Sequence, residues 1–512
     1  MGTALRPPPR MLESLRGSAT AFRARLAQAE RVQEQLLLDL ARYHARSEYG
    51  HRHGFESVAS STDWSNRVPI VRYENLHADL VRMAEGEPDV LLSGSVLAFE
   101  ETGGSSGGCK LIPYTERSLA AFRRGITVWL DDLYAGDDSL HRGTAYWSIS
   151  PAGRAQRKTA GGIAIGLESD LSYLGPALAA EIAATLCVPS EVAGIADFER
   201  WRLATCVHLA GDERLALISV WSPTFLLQLL DFLEANARTI ASHIPNPARA
   251  ALVVNGLSQS PPDYRKLWPA LRLLSCWTHG SSKAFATRLA QRLPGVEMQG
   301  KGLLATEALI SMPLRDIEWP VLAIESSYVE LLDDSGRARP ATAAEVGGEY
   351  EVVVSNESGL YRYALGDRVR VHGFFGTAPL LEFLGRAGVT SDLVGEKLDE
   401  AFVARILDSL GLEFAALAPE SGGYALLLDG ASVSREVAPE LAQRCDLVLR
   451  SNPQYAYARD LGQLQPLRAL LCQDPLGRYL AWRANAGQRL GDIKPPALIT
   501  DAGWRNTFVP TS

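Results

Sequence analysis

From residue 69 onward, strand-like and helix-like runs alternate along about 300 residues, and this alternation limits the available folds more than any other feature. Short runs rich in β-branched residues at 321–324 and 350–355 predict strands. Phe225, Leu226, Leu229, Leu230 and Leu233 recur at three- and four-residue steps and predict a helix with one apolar face. A chain that alternates in this way covers a sheet with its helices, so an α/β domain is expected. Ahead of it, Leu12, Leu15, Phe22, Leu26, Leu36, Leu37 and Leu40 predict helix over 11–47. The pattern changes near Gly385, which divides a large α/β unit of several subdomains, 1–385, from a small α+β unit, 386–512. In the small unit, Asp399 and Glu400 open a helix carrying Val403, Ile406, Leu407 and Leu410. A buried strand is expected at 424–428, a helix starting at Ser432 or Ser434, and strands at 469–472 and 479–482 around a turn at Gly477. No internal repeat is present.

Composition removes several classes of function. The 512 residues suit two to four domains. With 51 basic against 59 acidic residues the net charge is −8, and the best basic cluster, Arg117, Arg123 and Arg124, is short and local. No affinity for nucleic acid is expected from that distribution. The most apolar stretch, 215–230, is interrupted by Ser219, Ser222, Pro223 and Gln228. It falls short of the roughly 20 apolar residues that cross a bilayer. The segment MGTALRPPPRMLESLRG has no apolar signal region, and Arg6 stands where myristoylation needs Ser or Thr. The six cysteines form no CxxC pair, which predicts reduced thiols in a cytoplasmic protein. The nine histidines show no HExxH spacing.

Five segments can carry chemistry. In ETGGSSGGCK, 101–110, four glycines let backbone N–H groups approach an anion, while Ser105, Ser106 and Lys110 add donors and charge. The plain alternative is a flexible glycine hairpin. A Walker A loop is a poor fit, because Cys109 separates Gly108 from Lys110 and Leu111 replaces the magnesium-binding hydroxyl. Glu307, after Thr306 in an apolar run, needs a cation or hydrogen-bond partner if buried and nothing if it faces water. GLYRYALGD, 359–367, reads as a strand ending in a turn. Asp367 there can accept from a ribose diol or simply close the turn. Gly385-Arg386 marks the junction. In GDIKPP, 491–496, Lys494 precedes two prolines on a stiff segment, although most lysines are plain surface residues.

In this order, the segments resemble the adenylate-forming enzymes, and more narrowly the Gretchen Hagen (auxin-responsive) family of acyl acid amido synthetases. NRVPIVRYENL at 66–76 resembles the family's entry segment, and Thr102 to Lys110 its phosphate loop. THGSS at 278–282 resembles the adenine-side loop, and SYVEL at 327–331 the aromatic–acid strand after Thr306-Glu307. GLYRYALGD is the most specific match. Gly385-Arg386 and EKLDE at 396–400 resemble the hinge and the start of a mobile C-terminal domain, and Lys494 the terminal lysine. Gly103 and Cys109 depart from the superfamily's loop, and Leu303 stands where plant members carry tyrosine.

The resemblance implies a luciferase-like architecture and a two-step reaction. A carboxylate attacks the α-phosphate of ATP, releasing pyrophosphate, and an amine then takes the acyl group from the adenylate. It implies that Thr102, Ser105, Ser106, Gly107 and Lys110 hold phosphates, and that Gly280 and Ser281 lie by the adenine. It further implies that Thr306 and Glu307 meet ATP, Glu307 with Mg2+, that Asp367 and Arg386 hold the ribose, and that Lys494 is catalytic. Trp147, Trp221, Phe225, Trp277 and His279 are candidates for the acid's pocket, each with ordinary core packing as the plain alternative. The expected substrates are a small carboxylic acid and an amino acid or similar amine, acted on by a monomer. Delivery of the acyl group to a thiol, coenzyme A or a carrier protein, is the competing reading. A non-catalytic acid sensor is the third.

Overall fold

The structure is a computed structural model and describes residues 15–103, 109–147, 157–167, 170–195, 197–386, 389–488, 490–501 and 503–509. It is a mixed α/β protein, as the alternation requires.

The N-terminal segment forms two helices, Ser18–Leu26 and Ala29–His44, where one was expected. The break has a tertiary cause. The hairpin tip at Gly376-Thr377 reaches into it: Thr377 N donates to Leu26 O (2.9 Å) and Thr377 Oγ1 accepts from Ala29 N (2.9 Å). Gly376, with φ +64°, is required there, since a Cβ would sit 2.5 Å from Leu26 O.

Three sheets build the large unit. The glycine-loop strands Ala98–Gly103 and Cys109–Tyr114 pair antiparallel, with Thr102 opposite Lys110, and short strands at Ala164–Ile165 and Arg157–Lys158 extend the sheet. A second sheet is wholly parallel, in the order Thr144–Trp147, Leu215–Ser219, Leu273–Cys276, Glu297–Gly300. Its two inner strands are buried along their whole length, as expected for strands covered on both faces. The helix Pro223–Ala235, capped by proline in its first turn, packs the predicted leucine face into this core. The third sheet has seven strands, centred on Glu349–Ser355, Tyr363–Phe375 and Ala378–Arg386.

The last of these sheets corrects one expectation. GLYRYALGD does not end in a turn at Asp367. Gly366, with φ +82°, allows an irregularity there, and the strand continues because Val369 and Val371 bury on alternate positions. Asp367 is therefore a mid-strand residue, 4% exposed, directly opposite Arg386. Arg362 and Glu330 form a buried bidentate pair (2.8 and 2.9 Å), and Arg362 also donates to Ser65 O and Val68 O. This pair fastens the entry segment to the sheet, so these two motif residues serve architecture.

In the small unit, Ala415–Glu420, Gly423–Asp429 and Arg468–Cys472 form a three-stranded sheet, packed by helices Glu400–Asp408 and Ala438–Leu449. The second of these helices begins later than Ser434, with Pro439 in its first turn. The strand expected at 479–482 is instead the helix Pro475–Asn485. Asp474 caps it by accepting from Gly477 N (3.0 Å), and proline opens it, signals that outweigh the strand preference of Tyr479 and Trp482. The segment after Lys494 adds to the sheet edge: Leu417 N donates to Ala497 O and Ile499 N to Leu417 O, both 2.8 Å. Among the described residues, no helix is long and apolar enough to cross a membrane, and Cys187, Cys206, Cys276, Cys445 and Cys472 are free and buried.

Candidate active site

Three elements, the loop 278–282, the strand Ala378–Arg386 and the C-terminal segment, meet over the carboxyl ends of the parallel strands, where open α/β sheets hold ligands. The strand Leu215–Ser219 runs out to Trp221, Leu273–Cys276 to Trp277, and Glu297–Gly300 to Lys301. The loop 278–282 folds back against the strand Ala378–Arg386: a Cβ on Gly280, whose φ is +56°, would touch the Phe383 ring at 3.4 Å. The C-terminal segment brings Lys494 down onto the same place. Its Nζ lies 3.9 Å from the Trp277 ring centroid and 4.9 Å from that of Phe383.

Charged groups of both signs collect around this point. Arg386 Nε donates to Asp367 Oδ1 (3.3 Å), and the Asp367 charge holds the guanidinium above its usual range. Burial pushes the Glu307 carboxyl up, while Arg386 and Lys110 oppose that shift. Burial pulls Lys494 down to about 8, Asp367 and Glu400 acting against it and Arg386 with it. Glu400, at the start of its helix, accepts from Ala497 N (3.3 Å) and is pushed by burial to about 7. Lys110, Glu307, Asp367, Arg386 and Lys494 thus form one connected electrostatic group. Side chains hold the backbone that carries Glu307: Tyr114 Oη donates to Thr306 O (2.6 Å) and Asn356 Nδ2 to Glu307 O (2.8 Å).

Ser105, Ser106 and Gly107 lie outside the described residues, as do the side chains of Thr102 and Ser281. Trp147, Trp221 and Trp277 are half-buried at the sheet's carboxyl end. Phe225 is not with them: it is 3% exposed in the helical core, its ring 5.9 Å from Trp201. His279 stacks on Trp319 (5.3 Å), which stacks on His372 (3.7 Å), itself held 2.7 Å from Glu382. Its ring is thus committed to a stack, and burial lowers its pKa.

Nothing in the sequence assigns a site role to Trp129, Gln299, Lys301 or Phe383, and Glu400 reads there only as the start of a helix. The one signal for Lys301 in the sequence is a lysine set between two glycines. The glycines are there for close packing: a Cβ on Gly300 would lie 2.3 Å from Thr278 Oγ1, and one on Gly302 would lie 2.0 Å from Ser311 O.

Solved structures share this fold. An acyl acid amido synthetase, AtGH3.15, in complex with 2,4-DB superposes with a TM-score of 0.83 at 20% identity, covering 96% of this chain and 95% of that one. A 2-hydroxyisobutyryl-CoA ligase in its postadenylation state gives 0.56 at 13% identity, over 93% and 90%. At such identities the likeness is one of fold alone. In sequence, the chain is 24% identical over 438 residues to indole-3-acetic acid-amido synthetase GH3.2 of Arabidopsis thaliana, covering 75% of this chain and 79% of that protein. It is 24% identical over 560 residues to the probable indole-3-acetic acid-amido synthetase GH3.1 of Oryza sativa subsp. japonica, covering 92% and 88%. The GH3 family N-terminal domain matches residues 19–298 and the GH3 family central domain matches residues 321–386, so the chain belongs to the GH3 family.

Proposed function

We propose that this protein is an ATP-dependent acyl acid amido synthetase: it adenylates a small carboxylic acid and passes the acyl group to the amine of an amino acid. The observation that carries this reading is the convergence of Lys110, Glu307, Asp367, Arg386 and Lys494, from five separate segments, on one cleft. Adenylation crowds negative charge around one phosphorus, and a site for it needs fixed cations and donors. Lys110, with Ser105 and Ser106, holds the phosphates, and Gly280 and Ser281 flank the adenine. Asp367 accepts from the ribose hydroxyls, with Arg386 hydrogen-bonded to that carboxylate. Lys494 lies between carboxylate and α-phosphate as a compact charge.

Magnesium fits Glu307. Its buried carboxyl is disfavoured as an anion, a state that a divalent cation would relieve. Among the described residues no group of three His, Cys, Asp or Glu could cage a metal. A magnesium ion usually takes only one or two protein carboxylates beside substrate phosphates. When bound, it would neutralise charge on those phosphates.

The units 1–385 and 386–512 act in this reading as a large domain and a mobile one carrying Lys494. Among the described residues, beside the junction pair Arg386–Asp367 (3.3 Å), two exposed pairs run between them, Arg288–Glu413 (3.2 Å) and Arg405–Glu349 (3.4 Å). Such pairs are worth about 0–1 kcal/mol each and are easily exchanged. A groove between Arg202, Asp231 and Phe232 on one side and Asp429 and Asp474 on the other leaves room for movement. The enzyme works as a cytoplasmic monomer.

ATP–pyrophosphate exchange across a panel of aromatic, indolic and aliphatic acids tests the first step. Exchange with no acid would sink the reading. The fold likeness to a CoA ligase keeps thiol transfer as a second reading. Product analysis with amino acids against coenzyme A separates the two.

A further inference from the structure

The parallel sheet presents a second lysine that the adenylation chemistry does not use. Lys301 follows the strand Glu297–Gly300 and is anchored by its own N–H to Cys276 O (2.9 Å). It is only 8% exposed. Its Nζ donates to Ser219 Oγ (2.9 Å) and lies 4.7 Å from the ring centroids of both Trp129 and Trp221. Among the described residues no carboxylate pairs with it, and burial pushes it down to about 7. An ammonium has three donors, and Ser219 takes one.

A second buried donor lies by the same Trp129 ring. Trp147 packs its ring 5.7 Å from Trp129, and its Nε1 is buried with no partner among the described residues. The indole N–H of Trp129, in contrast, is satisfied by Gln299 Oε1 (3.0 Å). This end of the cleft therefore offers surplus donors. Buried donors without acceptors are costly unless something else supplies the acceptor.

Rings connect this place to the reacting end. Lys494 lies on Trp277, Trp277 packs 6.1 Å from Trp221, and Trp221 lies on Lys301. Two lysines thus bracket a pair of indoles, one near the charged group described above and one at the far end.

We propose that Lys301, with Trp147, is a specificity-determining residue that binds a hydrogen-bond acceptor at the distal end of the acid substrate. The acid class is then one with its carboxylate at Lys494, an apolar or planar body along Trp221 and Trp277, and a hydroxyl, oxo or second carboxylate group at Lys301. This inference rests on the adenylation reading for the position of the carboxylate. A site built from buried donors rejects analogues that lack the acceptor far more strongly than an apolar pocket distinguishes one methylene.

Matched acids test it: 4-hydroxyphenylacetate against 4-methylphenylacetate, and adipate against heptanoate. Two measurements are made on the full chain: kcat/KM in ATP–pyrophosphate exchange, and binding without ATP read by quenching of indole fluorescence. The acceptor-bearing member of at least one pair is expected to be preferred by about tenfold or more in both. Lys301→Met should erase that preference and improve use of the methyl member. A merely structural lysine would lower both members equally. If Lys301→Met does not fold, Trp147→Phe, which removes the indole N–H, should narrow the same ratio. Equal or better binding of the methyl acids by the unaltered protein overturns the inference, as does a variant that lowers both members by one factor. Exchange failing with every acid while the binding preference persists would overturn the adenylation reading and leave the acceptor site standing.

Discussion

Lys494→Ala should abolish most adenylation while sparing amide formation. The lysine is half-buried against Trp277 and Phe383, and no carboxylate forms a direct ion pair with it among the described residues. Its charge is thus available to substrate instead of being spent on a protein partner. Removing one positioned electrostatic donor from such a site costs about 10²–10³ in rate, or about 2.7–4 kcal/mol. The fold should hold, because the segment's sheet contacts run through the backbone of Ala497 and Ile499. Burial holds the ammonium down to about 8, so in the free enzyme it loses its proton as pH rises through that value. The kcat/KM for exchange, which reports the free enzyme, should fall above about pH 8, and Lys494→Ala should lose that limb. Exchange measures the first step, and a synthetic acyl-adenylate with amine measures the second alone. Lys494→Arg should rescue only in part, since a wide guanidinium does not replace a compact ammonium between two oxygens. Normal exchange in Lys494→Ala would refute the assigned role. Equal loss in both half-reactions would refute the idea that the lysine serves adenylation only.

Asp367→Ala should weaken ATP binding by about 1.5–3 kcal/mol, measured by calorimetry, and should also lower the melting temperature, because the carboxylate is buried opposite Arg386. Glu330→Gln should cost about 3–5 kcal/mol in chemical denaturation by leaving Arg362 buried without its charge partner, with specific activity of the folded fraction unchanged. Lys301→Met should stabilise the protein at neutral pH. The folded lysine releases its proton near 7 while the unfolded one keeps it to about 10.4, so the unfolded state binds more protons between these values. Native stability then rises with pH across that window, by up to roughly 5 kcal/mol from this group, and the variant's denaturation profile should lose that part of the slope while keeping the part from Lys494 above about pH 8. Glu396→Ala should speed proteolytic nicking at 392–397, since the buried Glu396 carboxylate accepts from Leu393 N (2.8 Å), Val394 N (2.9 Å) and Tyr424 Oη. Unchanged cutting would remove that clasp from the hinge.

What could be read along the chain was what local forces govern. β-Branched runs became the strand Glu349–Ser355, Asp399 capped the helix Glu400–Asp408 through Phe402 N (2.8 Å), and the order of five short segments pointed to the family. These features depend on neighbours a few residues away, so the chain displays them directly. Reading failed where a remote contact or a competing cap decided the outcome. The helix at 11–47 broke because a hairpin tip some 350 residues away takes hydrogen bonds at Leu26 and Ala29. The strand expected at 479–482 lost to a proline and an aspartate cap. Asp367 read as a turn residue, yet its strand continues and pairs it with Arg386. Phe225 read as a candidate pocket residue and is core. Lys301 shows the reason most plainly. Its charge, partners and burial come from Ser219, Trp129 and Trp221 on three other elements, and no spacing in the chain records that they meet. Propensity is a property of a segment, whereas desolvation and hydrogen-bond supply at a site exist only once distant segments pack together.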